Sequence, residues 1–228
     1  MAKIYTQHYR ENREGETPAS SLAQRMERWL HRCVAEDLKR SRAGRTTLEL
    51  GAGTLNQLQH EPELGAYDIV EPFTALFEGS PRLTRIRTVY GDISEVPIDA
   101  RYDRITAVAT FEHICNLPEV VARSGLLLAD RGTLRTSIPS EGTFLWKLGW
   151  QLTTGIEFRR RYGLDYGTLM RHEHVNDAKE IEELLRFFFR EVEGKVFGLS
   201  RAVSLYQFYA CSDPDLTRCR TYLESISA

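Results

Sequence analysis

Short β-prone runs, each stopped by glycine or a carboxylate, alternate with stretches of helical spacing over most of this chain. Thr46–Leu50 ends at Gly51, Tyr67–Val70 ends at Glu71-Pro72, and Arg85–Tyr90 ends at Gly91-Asp92. A fourth run covers Arg104–Thr110 and a fifth Gly132–Ile138. Between them Phe73–Ser80 and Leu117–Leu128 are compatible with helix. Strands alternating with helices at this rhythm predict an α/β fold, a parallel sheet with helices on both faces.

The two ends of the chain differ from this middle. Residues 1–20 are polar and read as an arm that is either flexible or ordered by a ligand; Tyr5, His8 and Tyr9 would suit folding over one. Leu22, Met26, Trp29, Leu30, Cys33, Val34 and Leu38 then recur at helical spacing, with Ser20 or Ser21 able to cap the helix. The resulting division is an N-terminal arm and helix over 1–45 and a main domain over 46–228. Asp177–Phe189 has Ile181, Leu184, Leu185 and Phe188 on one helical stripe, followed by strand-like runs at Glu191–Phe197 and Ser204–Cys211. Residues 140–175 break the alternation with aromatic clusters. An insertion there would lie over the carboxyl ends of the strands, where open α/β sheets bind ligands, and is read as a lid.

Composition narrows the class. The chain has 228 residues and a formal net charge of -2, which argues against a nucleic-acid substrate, since such binders usually carry a basic excess. Cys33, Cys115, Cys211 and Cys219 form no C-x-x-C pair and suit reduced thiols. The N-terminus has no apolar segment of a secretory signal, and no apolar run is long enough to span a membrane. A cytoplasmic protein with no membrane partner is the expectation; oligomeric state stays open.

The chemistry-bearing motif is Glu49-Leu50-Gly51-Ala52-Gly53-Thr54. A strand delivers the chain into a Gly-x-Gly turn, where glycine permits positive φ and close approach of a ligand. The dinucleotide fingerprint needs a third glycine, and Asn56 stands there instead, which argues against a nicotinamide or flavin enzyme. Glu71, about twenty residues beyond the glycines, could accept from both hydroxyls of a ribose. Asp92, at the third strand end, could accept from an exocyclic amino group of a base.

The runs TTLELGAGTLNQ, YDIVEP, VYGDISEVP and YDRITAVATFEHI together resemble the class I S-adenosylmethionine-dependent methyltransferases, closely over residues 46–138. The resemblance implies a Rossmann-like seven-stranded, mostly parallel sheet whose last strand is antiparallel, with Ser204–Cys211 as that strand. It implies S-adenosylmethionine as cofactor, S-adenosylhomocysteine as product, and a small-molecule acceptor. By position, Glu49 would anchor the methionine end and Gly51, Ala52 and Gly53 would pass under the cofactor. Glu71 and Pro72 would hold the ribose, Asp92 and Ile93 the adenine, and Thr110 and Phe111 the methionine side, with Glu112 in the same loop. Leu55, where a third glycine is common, implies a tighter turn, and Phe73 would either stack near the adenine or pack in the core.

Methyl transfer from a sulfonium is an in-line displacement in which the protein supplies alignment and, for some acceptors, a base. His113, His172 and His174 are the candidates for a base, with Glu173 among them and a helix-entry turn capped by Asn176 or Asp177 as the structural alternative. The His172-Glu173-His174 cluster offers only two histidines and one glutamate, and with no second cluster no metal is expected. Arg159, Arg160 and Arg161, beside Tyr162 and Tyr166, would grip an anionic acceptor such as a nucleotide-sugar, glycan or organic acid, or else form a solvated helix face. Two rivals remain: a protein or RNA methyltransferase, disfavoured by Thr110-Phe111-Glu112-His113 in place of an Asn/Asp-Pro-Pro-aromatic signature, and a catalytically inactive methyltransferase-like partner protein.

Overall fold

The computed structural model describes residues 18–40, 44–62, 65–143 and 174–227. The strands are β1 (Thr47–Leu50), β2 (Tyr67–Val70), β3 (Thr88–Tyr90), β4 (Tyr102–Val108), β5 (Leu128–Pro139), β6 (Phe189–Ser200) and β7 (Val203–Pro214). They form one seven-stranded sheet in the order β3-β2-β1-β4-β5-β7-β6. The β1–β2, β1–β4, β2–β3 and β4–β5 pairs are parallel, and β7 runs antiparallel to both neighbours. The order reverses at β1, with β2 on one side and β4 on the other, which creates a crevice at the carboxyl end of β1.

Among the described residues, four α-helices accompany the sheet: α1 (Pro18–Val34), α2 (Leu117–Leu127), α3 (Ala178–Phe188) and α4 (Leu216–Ser227). Helices α2, α3 and α4 share one core with the apolar side chains of the sheet, including Leu48, Leu50, Ile105, Ala107, Leu134 and Tyr209. Helix α1 packs on β4, β5 and β7, burying Leu30, Cys33 and Val34. It starts at Pro18, whose missing N–H costs nothing in a first turn, so Ser20 and Ser21 lie inside the helix rather than capping it.

The stretch Phe73–Ser80 is not a helix. It holds a single 3₁₀ turn, Thr74–Leu76, followed by a second at Pro81–Arg85 capped by Ser80. Gly79 and the Ser80-Pro81 step break the backbone, and the turn Thr74–Leu76 buries no side chain that would sustain a longer helix. β3 is accordingly shorter than the run Arg85–Tyr90 suggested. At the other end α4, which the sequence pattern left unread, seats Cys219 in the main core.

The sheet face beneath α1 combines a small apolar cluster, Cys33 and Val34 against Phe208, with buried polar groups. Arg104 on β4 is fully buried and all its N–H groups are used. Nε donates to Asp37 Oδ2 at 2.8 Å, and the terminal nitrogens donate to Thr47 Oγ1, to both oxygens of Glu61 and to the Val34 carbonyl. Arg135 on β5 donates to the Val34 and Cys33 carbonyls at 2.7 and 2.8 Å. Two arginines of the sheet therefore cap the C-terminal carbonyls of α1 and oppose its negative dipole end. Burial works against the Arg104 charge, but Glu61 and Asp37 outweigh it and hold the guanidinium above its ordinary pKa. The chain of contacts continues from Glu61 to Gln57 and on to His31 of α1.

Glu49 lies in this layer. It is 2 % exposed and accepts from the Tyr67 hydroxyl at 2.9 Å. Burial pushes its carboxyl up to about 8, against the opposing hydrogen bond from Tyr67.

Two outcomes are expected. Arg104→Met leaves Glu61 buried without its cationic partner, while Asp37 keeps Arg45 and Arg135, and should cost about 3–5 kcal/mol in urea unfolding; a loss under about 1 kcal/mol would show that the network is dispensable. For Glu49, folded protein holds a proton that the unfolded chain releases near its ordinary value of 4.5. Its contribution to stability is therefore complete below that pH and declines as pH rises towards about 8. Glu49→Gln should remove that decline, so its unfolding midpoint should gain on the wild type between pH 5 and pH 8; parallel pH profiles would contradict this.

Candidate active site at the carboxyl ends of the strands

The turn after β1 is built on left-handed backbone. Gly51 and Gly53 have φ of 66° and 51°, and Leu55 also takes a left-handed φ of 61°. Leu55 tolerates this because its side chain is fully buried with Leu58, Ile69 and Phe77. The two glycines serve different ends. A Cβ on Gly51 would sit 2.4 Å from Thr110 Cγ2, so Gly51 lets the turns after β1 and β4 touch. A Cβ on Gly53 would meet nothing within 4 Å, so its bare backbone faces open space.

Glu71, at the end of β2, closes this turn. One carboxylate oxygen accepts from the Gly53 amide at 2.8 Å and the other from the Phe73 amide at 2.9 Å. Each oxygen keeps a further lone pair for a ligand hydroxyl. Pro72 is exposed, and Phe73 is 69 % exposed, so the core alternative for Phe73 fails. Asp92 caps the turn Ile93–Glu95 by accepting from the Ser94 amide at 2.8 Å. That bonding holds its carboxyl below the usual range, and the carboxylate is exposed after β3. Ile93 itself is buried in the main core.

After β4, Ala109 takes a φ of 49° and turns the chain so that Thr110 reaches back to the Leu50 carbonyl at 3.3 Å. The Phe111 side chain is fully buried in the core, which leaves its backbone, not its ring, to face a ligand. Glu49, which precedes the glycine turn by two residues, accepts from the Tyr67 hydroxyl in the buried polar layer. Ala52 is buried.

The loop after β4 is strapped to the segment before α3. The Val175 and Asn176 amides both donate to the Glu112 carbonyl, at 2.8 and 3.2 Å. The Asn176 side-chain amide donates to the Phe111 and Ile114 carbonyls at 2.8 and 2.7 Å. Asp177, not Asn176, caps α3 in a reciprocal capping box with Glu180. The strap brings His174 against His113, with ring centroids 4.8 Å apart, and its Nδ1 lies 2.9 Å from Glu141 Oε2. Glu112 is 2 % exposed, and burial raises its carboxyl to about 7, partly offset by His174. The sequence reading had not joined Glu112 and His113 to His174, nor found Glu141; their nearness depends on a long-range strap that no local pattern encodes. His172, Glu173, Arg159, Arg160, Arg161, Tyr162, Tyr166 and the arm residues Tyr5, His8 and Tyr9 lie outside the described residues. A cavity lined in part by Arg45, Thr47, Glu61, Tyr67 and Arg85 opens at the amino ends of β1 and β2, at the opposite strand ends from Gly53 and Glu71. No described helix is long and apolar enough to cross a membrane.

No protein-family model matches the chain, and no curated protein matches it by sequence. Among solved structures it is similar to an S-adenosylmethionine-dependent methyltransferase from Thermotoga maritima, at 15% identity over 81% of this chain and 90% of that one, with a TM-score of 0.54. It is similar to the N-methyltransferase NodS from Bradyrhizobium japonicum, at 13% identity over 85% of this chain and 97% of that one, with a TM-score of 0.55. Phosphoethanolamine N-methyltransferase 2 from Haemonchus contortus, solved with phosphomonomethylethanolamine and S-adenosylhomocysteine, matches at 13% identity and a TM-score of 0.57. That match covers 81% of this chain, which spans about half the length of the Haemonchus enzyme, 53%. The strand order, the antiparallel β7 and these likenesses agree: the chain has the fold of the class I S-adenosylmethionine-dependent methyltransferases.

Proposed function

We propose that this protein binds S-adenosylmethionine at the carboxyl ends of β1, β2 and β3 and transfers its methyl group to a small-molecule acceptor. The observation that carries the reading is Glu71, which spans the amides of Gly53 and Phe73 where Gly53 faces open space. A ribose would be held by the free lone pairs of Glu71, with Phe73 against the adenine and Asp92 accepting from its amino group. The bound group supplies an electrophilic methyl on a sulfonium. The chain's own work is to orient the acceptor and exclude water on the Thr110–His113 side. The titratable groups gathered there are Glu112, His113 and His174. Arg159, Arg160 and Arg161 remain the candidates for gripping an anionic acceptor; their triple alanine variant tests this through acceptor KM at constant cofactor affinity.

The rival is a partner protein that keeps the fold and lacks the activity. Against it stands the intact open turn at Gly53.

Calorimetric titration with S-adenosylmethionine and S-adenosylhomocysteine, with NAD as control, should give micromolar binding of the first two alone. Glu71→Ala should weaken it about 10–100-fold, the range for hydrogen bonds to a charged group. The two glycines should separate: Gly53→Ala should reduce cofactor affinity with a stability cost near 1–2 kcal/mol from the left-handed backbone, whereas Gly51→Ala should lower stability further through its clash with Thr110. Equal cofactor affinity in wild type and Glu71→Ala would remove the proposal.

A further inference from the structure

We propose that Glu112, His113 and His174 form a binding site for a divalent transition-metal cation on the acceptor side of the cleft. The three residues offer one donor atom each, all within 4.8 Å of one another. Donors on one cation with bonds of ~2.1 Å lie about 3.4 Å apart in a tetrahedron and up to about 4.2 Å apart across an octahedron. Side-chain rotation of well under an ångström per donor closes the difference, and His113, 39 % exposed, is placed to move.

Three further features point to a ligand. The Glu112 carboxylate is buried, and its Oε2 has no hydrogen-bond partner among the described residues, a costly arrangement that a cation would relieve. His174 Nδ1 is engaged by the Glu141 carboxylate at 2.9 Å, which leaves Nε2 as the nitrogen able to ligate. A histidine held by a carboxylate through its second nitrogen is the usual support of a metal-ligating imidazole. The scaffold is also fixed, since the amides of Val175 and Asn176 and the Asn176 side chain lock the His174 segment to the Phe111–Ile114 turn. Two imidazoles with a carboxylate favour zinc, cobalt, iron or manganese over magnesium or calcium, which prefer oxygen alone.

Three protein ligands leave positions open on the cation for water or an acceptor oxygen. Thr110, in the same turn, contacts Gly51 of the glycine loop, so the open positions adjoin the proposed cofactor site. The role in acceptor binding rests on the methyltransferase reading; the site itself does not.

The test uses the full chain, stripped with chelator and titrated with Co²⁺, read by visible absorption, and with Mn²⁺, read by loss of its free electron-paramagnetic signal. One Co²⁺ per chain at micromolar affinity is expected, with a spectrum indicating nitrogen ligation. His113→Ala, at a half-exposed position that should fold normally, and Glu112→Gln should each weaken binding at least tenfold. Glu141→Gln should weaken it about tenfold or more with the S-adenosylhomocysteine affinity unchanged. No saturable Co²⁺ binding below millimolar concentration would overturn the proposal, as would binding that His113→Ala and Glu112→Gln both leave intact. Parallel S-adenosylhomocysteine titrations keep the two readings apart. Co²⁺ binding without S-adenosylhomocysteine binding would retire the cofactor assignment alone, and the reverse would retire the metal site alone.

Discussion

The buried guanidinium of Arg104 is the constraint around which this molecule is arranged. Its donors reach Asp37, Thr47, Glu61 and the last carbonyl of α1, so one side chain joins the N-terminal helix, β1, β4 and the connection before β2. A buried charge is tolerable only when such partners are complete. Arg135 repeats the arrangement one strand over, stacking its guanidinium on Phe208 while donating to the same helix end. The face beneath α1 therefore depends on polar satisfaction beside a small apolar cluster of Cys33, Val34 and Phe208. The opposite face depends on area, through a continuous apolar core shared with α2, α3 and α4. The sheet is held in one orientation between two different kinds of layer.

That sheet presents strand ends, and the proposed chemistry lies at those ends. The reversal of strand order at β1 opens a crevice, and the residues just beyond β1, β2, β3 and β4 line it. Left-handed φ gathers there, freely at Gly51 and Gly53 and at a cost at Leu55 and Ala109. Such conformations persist where the surroundings fix them, and they recur at functional sites. Glu71 does the fixing on one side through Gly53 and Phe73, and Thr110 on the other through Leu50. In the proposed function, a turn held by Glu71 in this way would lower the ordering cost of binding.

After β4 the logic is similar but the link is longer. Asn176 leaves the capping of α3 to Asp177 and instead satisfies two carbonyls of the turn after β4. A helix start and a strand end thus become one unit, and four groups that titrate or ligate, Glu112, His113, Glu141 and His174, are held together.

The sequence by itself determined the elements whose signals are local. The runs at Thr46–Leu50 and Tyr67–Val70, the helical spacing of Leu117–Leu128 and Asp177–Phe189, and the glycines and acids at strand ends each carry their meaning within a few residues, because periodicity and backbone permissiveness are short-range properties. Phe73–Ser80 marks the limit of that reasoning: its composition allowed a helix, yet it buries too little to hold one and contains only a 3₁₀ turn. Only the tertiary structure decided that Arg104 and Arg135 are buried helix caps rather than strand-edge charges, and that Phe73 stands in solvent while Phe111 fills the core. It alone decided that Glu112, His113 and His174 meet, residues separated by some sixty positions. Contacts across that separation are set by the packing of whole elements against one another, and no pattern along the chain records which elements those will be.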